Sequence, residues 1–289
     1  MTTAVAPVAI GHRPSGWTRF RRVGATGWLG ASLIAVVVVI TACAPVLAPH
    51  DPATMHTGDR LAPSSRTYPL GTDEFGRDLL TRLLYGSRYS LGAGTTAVAI
   101  SFTAGTAIGL LSGYYPRFDS VAMRLMDLLL AFPGLLLALV IVSVLGPGLT
   151  HAMLAVGIAG IPVFARVVRS TALSVREHEY VEAAVALGST DSRVLLRHVL
   201  PNCFAPIVVL ATLSLGSAIL SAAALSFLGL GAQPPAPEWG AMLNSGRNFI
   251  TDAWWLTVYP GIAIMVAVLG FNLAGDALRD AIDPRLSRS

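Results

Sequence analysis

Residues 171–203, TALSVREHEYVEAAVALGSTDSRVLLRHVLPNC, lie between two long apolar stretches of a 289-residue sequence. Residues 171–187 are rich in alanine, leucine, valine, arginine and glutamate and contain no glycine or proline, which predicts a helix. Gly188 follows where a left-handed C-terminal cap is expected. A second short helix should start at one of three N-cap candidates and be limited by Pro201. The candidates are Ser189, Thr190 and Asp191. The stretch is therefore predicted to be a helix–glycine–helix hairpin.

The second helix of this hairpin is predicted to have an apolar side. That side carries Val194, Leu195, Val199 and Leu200. Arg193 and Arg197 lie elsewhere on the helix. A hairpin of this kind, projecting from a larger body, is suited to docking in the groove of a partner protein.

The charge-free stretches around the hairpin predict a membrane protein. The chain is 54% hydrophobic and 12% charged, with a mean hydropathy of +0.65, whereas a soluble domain carries about 25% charged residues. A helix needs about 20 apolar residues to cross a bilayer core. Six stretches meet this length: 28–47, 91–114, 128–148, 151–169, 205–228 and 253–275. The sequence therefore predicts an all-α integral membrane protein with six transmembrane helices.

The arginines predict an N-in/C-in orientation. All 20 basic residues are arginine, and 14 of them lie in segments that this orientation places in the cytoplasm. Arg166 and Arg169, at the end of the fourth span, are expected to snorkel to the headgroups. The predicted organisation is a cytoplasmic tail (1–27), a first helix (28–47), an extracytoplasmic loop (48–85), a membrane domain (86–276) and a cytoplasmic C-terminus (277–289).

The first span has a second interpretation. Ile40-Thr41-Ala42-Cys43 is similar to a lipoprotein processing box. The apolar core is longer than the 7–15 residues typical of a cleaved signal, and its leader is also long. Retention as a helix is the interpretation adopted.

Two features predict how the helices pack. Gly105, Gly109 and Gly113 are spaced four apart in the second span, and small residues at this spacing let helix backbones approach closely in lipid. Glycine is also abundant in membrane helices generally, and in either case the fold is a helix bundle. In the third span, Pro133 removes a backbone hydrogen bond and predicts a kink.

Missing residue types exclude several chemistries. The chain has no lysine, so it has no phosphate-binding loop ending in Gly-Lys-Ser/Thr and no lysine nucleophile or base. Its two cysteines, Cys43 and Cys203, lie far apart in apolar surroundings and give neither a metal-binding pattern nor a disulfide framework.

The hairpin resembles the EAA loop of bacterial ABC importer permeases. The resemblance rests on Glu182-Ala183-Ala184, on Gly188 after three more residues, and on the ending His198-x-Leu200-Pro201. Most such loops have an aliphatic residue where this chain has His198, and the His-x-Leu-Pro-Asn ending is similar to the peptide-permease branch. The resemblance implies that the loop sits in a cleft of an ATPase subunit and transmits its motion.

Other stretches resemble the same branch, the second permease of the dipeptide/oligopeptide/nickel type. They are residues 70–78 (LGTDEFGRD), 128–134 (LLLAFPG), 225–231 (LSFLGLG) with 233–235 and 239–240, and 275–280 (GDALRD) with 283–285. The resemblance covers about residues 69–286. It implies that 86–276 form an ABC transmembrane type-1 domain.

The outer segments are expected to lie at the membrane surface. Residues 78–85 place four leucines on one side and Arg82 on another, which predicts an interfacial helix lying flat beside the second span. Residues 232–255 contain Trp239, Trp254 and Trp255, and tryptophan favours the membrane–water boundary. This second segment is therefore predicted to be an interfacial platform.

The resemblance implies a type I ABC importer permease with a cytoplasmic EAA coupling loop, in the bacterial plasma membrane. Its implied partners are a second homologous permease, two ATPase subunits, an extracytoplasmic binding protein and a peptide substrate. ATP and Mg²⁺ would be bound by the ATPases; this chain would hold no cofactor or metal and bind no nucleic acid. Pro133, Ser214 and Ser217 are hypothesised to line the pathway. Nickel chelates or other small solutes are the alternative cargo.

Two hypotheses of other classes were weighed. An ion-coupled secondary transporter usually needs ionisable residues near the midplane, whereas Asp127, His151 and Asp276 all fall at span ends. An intramembrane protease would have to use Asp127 with Asp276, or Ser217 with His151. Neither pair has a surrounding catalytic motif, and the chain has no His-Glu-x-x-His run.

Overall fold

The long apolar stretches of the sequence become helices in the structure, a computed structural model that describes residues 24–282. A helix satisfies its own backbone N–H and C=O groups, which a bilayer core cannot do. Ten α-helices lie within these residues. In chain order they are α1 (Ala25–Leu47), α2 (Leu79–Tyr114), α3 (Pro116–Leu130), α4 (Gly134–Leu145), α5 (Leu149–Arg176), α6 (Glu179–Ala186), α7 (Asp191–Val194), α8 (Leu200–Phe227), α9 (Trp239–Gly246) and α10 (Trp255–Ile282). Most of the predicted tail (1–27) lies outside the described residues, as does the end of the predicted C-terminus (277–289).

Five helical stretches are long and apolar enough to cross a membrane: α1, α2, α5, the stretch from α7 through α8, and α10. The predicted third span, 128–148, is divided between α3 and α4, whose axes meet at 94°. The described residues therefore contain six spans when this bent pair is one passage, and five when it is not.

Pro133 explains the break between α3 and α4. Proline lacks an N–H and disfavours helical geometry in the residue before it, and Pro133 has φ −53° and ψ 130° directly before α4. The kink predicted at Pro133 is confirmed in position, but it is a turn of nearly a right angle. α3 begins at Pro116, twelve residues before the predicted start of the third span. The 12 residues of α4 span about 18 Å, less than a bilayer core of about 30 Å.

The predicted interfacial helix at 78–85 is wrong. These residues are the start of α2, a single helix of 36 residues, which is about 54 Å long at 1.5 Å per residue. The Asp78 side chain caps it by accepting a hydrogen bond from the Thr81 N–H. Leu79 and Arg82 are both buried, so the leucines of this segment do not all face lipid.

A buried charged turn precedes α2. Oδ2 of Asp73 lies 2.6 Å from Nε of Arg77 and 3.3 Å from Nε of Arg82. The other oxygen of Asp73 accepts hydrogen bonds from the N–H groups of Phe75 and Arg77. Asp73 and both arginines are at most 6% exposed. Arg82 therefore stabilises this turn, which the helical pattern alone does not predict.

The tryptophan segment also folds onto α2 instead of lying open as a platform. Trp239 is buried, and its indole N–H donates to the Leu83 carbonyl at 3.0 Å. The indole N–H of Trp255 donates to the Thr72 carbonyl at 3.2 Å. Of the three tryptophans, Trp254 alone is exposed.

The contact between α2 and α5 is made through glycines. Gly105, Gly109 and Gly113 each face the backbone of α5. A Cβ added at Gly109 would lie 2.6 Å from the Ala165 carbonyl oxygen, and one at Gly113 would lie 2.6 Å from Cβ of Ala172. Any larger residue would push the two helices apart.

Gly109→Ala should lower the thermal stability of the protein, because the new methyl group meets backbone atoms of α5. Overpacking of this kind costs about 1–3 kcal/mol. Gly92→Ala is the matched control, since Gly92 lies in the same helix and has open space around its Cβ position. The protein is heated in mild detergent, and the temperature at which half of the monodisperse peak is lost is recorded. This temperature should fall only for Gly109→Ala. Equal midpoints for the two variants would contradict the close contact.

Asp73→Asn should also destabilise the protein, by about 3–5 kcal/mol, because it removes the carboxylate charge that lies closest to two buried guanidinium groups. Glu74→Gln makes the same chemical change next door, where the carboxylate is 3.7 Å from Arg77 and makes no closer contact with it. The same melting assay should show a clearly larger loss for Asp73→Asn. A larger loss for Glu74→Gln would show that Asp73 does not hold the turn.

Candidate functional site

The predicted hairpin is present, with different helix limits. Its first arm is not one helix over 171–187: α5 ends at Arg176, and α6 starts at Glu179. Its second arm starts at α7 and runs without a break into α8. Pro201 therefore does not limit the second helix, contrary to the prediction.

A π-helical segment, Leu195–Val199, lets the second arm continue past Pro201. A proline ring clashes with the carbonyl four residues earlier in a regular α-helix. Here the N–H of Leu200 donates to the carbonyl of Leu195, five residues back. The wider turn directly before Pro201 provides the space that the ring needs.

Gly188 turns the chain between the two arms. It has φ +81°, the left-handed conformation that the sequence predicts. Its N–H donates to the Val185 carbonyl, and the N–H of Ser189 donates to the Ala184 carbonyl. This pair of bonds is the Schellman arrangement that ends a helix at a glycine.

The inner face of the hairpin is part of the protein core. Val181, Val194, Leu195 and Val199 are buried in one cluster with residues of α2, α5 and α8. Leu200 is partly buried against the same cluster, and Arg193 and Arg197 are exposed. The apolar side predicted for the second arm is therefore confirmed, and it fixes the hairpin to the bundle.

The two arms are joined by polar contacts that the motif alone does not reveal. The Asn202 side-chain amide donates to the Tyr180 hydroxyl at 3.1 Å. The rings of Tyr180 and His198 have centroids 6.2 Å apart. His198 and Asn202, which distinguish this ending from the general pattern, thus face the first arm.

The outer face of the hairpin is apolar and open to solvent. Leu187 is 88% exposed, Leu196 63% and Val185 50%. Glu182 and Ala183 are exposed on the same arm, and Glu182 forms no ion pair with any residue in the range 24–282. Glu182 and Ala183 of the EAA pattern therefore lie at a surface that no residue in the range 24–282 covers.

The start of the second arm, at Asp191, contacts the turn between α2 and α3. The hydroxyls of Tyr114 and Tyr115 donate to the two carboxylate oxygens of Asp191, at 2.8 and 3.0 Å. The hydrogen bond to Asp191, with partial burial and the carboxylate charge, raises the pKa of Tyr115. From the sequence Asp191 is predicted only as an N-cap candidate, and these contacts are missed because no local pattern links it to residues 76 and 77 positions away.

A cavity of about 290 Å³ lies between α2, α4, α5 and α8. Its lining includes two of the residues hypothesised for the pathway, Ser214 and Ser217, together with Ser101 and Ser221. Pro133 is not in the lining, but Gly134 and Leu135 directly after it are. The lining contains no ionisable side chain.

The residues considered for catalysis are used elsewhere. Asp127 forms an ion pair with Arg166 at 2.5 Å. The Ser217 hydroxyl donates to the Ser214 carbonyl, and the His151 ring bonds the Gly146 carbonyl. Arg169 is paired with Asp119, so Arg166 and Arg169 each have a carboxylate partner in α3. Within residues 24–282, no group of three or more His, Cys, Asp or Glu side chains could hold a metal ion.

The chain is similar to bacterial permease proteins over most of its length. A dipeptide transport system permease protein of Alkalihalophilus pseudofirmus is 48% identical over 259 residues, which are 89% of this chain and 85% of that protein. A di/tripeptide transport system permease protein of Pseudomonas aeruginosa is 47% identical, over 91% of this chain and 89% of that protein. A glutathione transport system permease protein of Pectobacterium atrosepticum is 44% identical, over 93% and 90%.

The fold is also found among solved structures. A chain of the MetNI methionine ABC transporter in an inward-facing conformation matches with a TM-score of 0.56 and 18% identity, covering 71% of this chain and 98% of that chain. This match shows the fold of the transmembrane domain of a type I ABC importer. Residues 105–288 match the model of a family described as "Binding-protein-dependent transport system inner membrane component". That match contains the hairpin and the cavity-lining helices α4, α5 and α8, and the chain therefore belongs to this family of multi-pass inner-membrane permease proteins.

Proposed function

We propose that this chain is a permease subunit of an ATP-driven importer of dipeptides or oligopeptides in the bacterial inner membrane. It forms one half of the pathway, and a second homologous permease forms the other half. Two ATPase subunits bind below, and an extracytoplasmic binding protein delivers the peptide. The relatives that transport dipeptides and di/tripeptides support this cargo.

The hairpin is the observation that carries this proposal. Its inner face is buried in the core of the bundle, whereas its outer face leaves Val185, Leu187 and Leu196 exposed. Exposed apolar surface gains about 25 cal/mol for each Å² that a partner covers. A rigid hairpin with an open apolar face has the shape of a docking element, and an ATPase cleft is the partner that the family supplies.

The composition supports a role for this chain in transport, with ATP hydrolysis carried out by other subunits. The chain contains no lysine, and the phosphate-binding loop of an ABC ATPase needs one. The chain is therefore a non-catalytic subunit, and ATP with Mg²⁺ is bound by the partner ATPases.

The arginine distribution supports the N-in/C-in orientation. It places the hairpin on the cytoplasmic side, where the ATPases are, and residues 48–78 on the outer side. ATP-driven closure of the ATPases then moves the hairpin, and the helices that surround the cavity repack to open it outward.

The cavity supports transport of varied peptides. Its polar groups are serine hydroxyls, which can bond a peptide backbone, and it has no fixed charge to retain one side chain in preference to another. A secondary transporter driven by protons or sodium usually needs ionisable groups at its site, and this lining lacks them.

Nickel chelates or other small solutes are the second candidate cargo. The relative that transports glutathione is 44% identical, which is nearly as similar as the dipeptide permeases. Specificity in this arrangement resides mainly in the binding protein, so the permease itself can accept several solutes.

Glu182→Lys should abolish ATP-driven peptide uptake, because it reverses the exposed charge that faces the ATPase. Uptake of a radiolabelled dipeptide into proteoliposomes containing the full importer measures this. Asp280→Lys makes the same charge change at an exposed position of α10 and should leave uptake near the wild-type rate. Membrane insertion should be normal in both variants, and normal uptake with Glu182→Lys would remove the coupling role.

Gly188→Pro should likewise block uptake, because proline cannot adopt φ +81° and lacks the N–H that bonds Val185. Gly188→Asn should retain most uptake, since asparagine tolerates the left-handed conformation. The same uptake assay compares the two. Equal uptake by both variants would show that the turn geometry does not matter for coupling.

The purified chain alone should release no phosphate from ATP above the background of a detergent blank. Addition of the partner ATPases should produce hydrolysis, because they supply the missing lysine-containing loop. A colorimetric phosphate assay measures both. Hydrolysis by the chain alone, at a rate that scales with its concentration, would contradict the division of labour.

A further inference from the structure

We propose that Asp191 is a positioning residue that ties the second arm of the hairpin to the turn between α2 and α3 through Tyr114 and Tyr115. The inference rests on the proposed function, since it assigns a route for the motion that the ATPases impose. It adds a polar attachment to the covalent one and to the apolar packing of the hairpin's inner face. The hairpin would move α2 and α3 directly, and not only α5 and α8, from which its arms extend.

The geometry of the tie is specific. Each oxygen of the Asp191 carboxylate accepts one tyrosine hydroxyl. The two tyrosine rings are nearly perpendicular, with centroids 5.0 Å apart, so both hydroxyls reach one carboxylate from adjacent residues. Hydrogen bonds to a charged acceptor are stronger than neutral ones.

The carboxylate has no competing partner among the described residues. No arginine or histidine in the range 24–282 forms an ion pair with Asp191, although Arg193 is only two residues away. Asp191 is also the first residue of α7, where a negative charge is favoured by the helix dipole. Both facts leave the carboxylate available to the tyrosines.

The first arm meets the same tyrosine. Arg176, the last residue of α5, donates from Nη1 to the Tyr114 carbonyl at 3.1 Å, and its guanidinium lies 5.4 Å from the centre of the Tyr114 ring. Both arms of the hairpin therefore contact the end of α2.

A continuous set of contacts runs from this tie to the cavity. Tyr115 is the N-cap of α3, and α3 is paired with α5 through Asp119–Arg169 and Asp127–Arg166. At its other end, α3 meets α4 across the break at Pro133, and α4 lines the cavity with Gly134, Leu135 and Ala138. A displacement of Asp191 would thus move α3, and α3 would transmit the movement to α4 in the cavity wall.

The test removes the hydroxyls while it keeps the rings. Tyr114→Phe with Tyr115→Phe, Asp191→Ala and the triple variant are reconstituted in the full importer with ATPases and binding protein. Uptake of tritiated alanyl-alanine and ATP hydrolysis are measured in parallel. Ser192→Ala is the control, because Ser192 is exposed and its hydroxyl contacts only Thr190 among the described residues.

The expected result is a loss of coupling. ATP hydrolysis should stay within about twofold of wild type. The amount of peptide transported per ATP should fall about fivefold or more in the double tyrosine variant and in Asp191→Ala. A fivefold change is the lower end of the range for an allosteric coupling between two sites. The triple variant should transport as much peptide per ATP as the double tyrosine variant or Asp191→Ala, because all three remove the same contact. An unchanged ratio, a parallel fall of both rates, or losses that multiply in the triple variant would each overturn the proposal.

A second readout separates this inference from the proposed function. Spin labels at the exposed residues Ser120 and Ser192, in a background without Cys43 and Cys203, report the distance between α3 and the hairpin. A broader distance distribution with Tyr114→Phe and Tyr115→Phe supports the tie, and an unchanged one overturns it. This outcome does not depend on transport, whereas a wild-type importer without ATP-dependent uptake would contradict the proposed function alone.

Discussion

The close contact of α2 with α5 is the interaction on which the rest of the structure depends. Lipid gives no hydrophobic drive for helices to associate, so they must gain energy from direct packing. Gly105, Gly109 and Gly113 allow this along about two turns of α2, and their Cβ positions are filled by α5 itself. The same two helices then form a wall of the cavity and continue toward the hairpin.

The hairpin inherits its rigidity from this contact. Its buried residues Val181, Val194 and Val199 belong to the same core cluster as Val168 and Ala172 of α5, which face the glycine positions. A loosely attached hairpin would bend when a partner displaces it, and the displacement would not reach the membrane spans. One that shares a packed core with the spans transmits displacement, because packed interiors are hardly compressible.

Hydropathy and turn residues predict much of this architecture, whereas they do not predict side-chain contacts between residues that are far apart in the sequence. The apolar stretches placed the spans, and Gly188 was placed correctly because a left-handed glycine after an alanine-rich helix is a local signal. The angle at Pro133 was underestimated, since proline predicts where a helix breaks but not how far the chain turns. The helix at 78–85 was misassigned because its leucines suggested lipid, whereas Arg82 is held inside by Asp73, a partner nine residues away. Asp191 illustrates the same limit: its role depends on tyrosines 76 and 77 residues earlier in the sequence.

The distribution of charge supports the proposal that energy enters at the hairpin. The ion pairs between arginines and carboxylates among the described residues join Asp73 and Glu74 to two arginines before and at the start of α2, or join α3 to α5. The residues that line the cavity include no ionisable side chain. A lining without ionisable side chains lacks the groups that ion-coupled transporters usually need near the midplane. A ligand can shift a conformational equilibrium only by its difference in affinity for the two states. Under the proposed function the ATPases are such a ligand, and the exposed apolar side chains of the hairpin give them a surface on which to act.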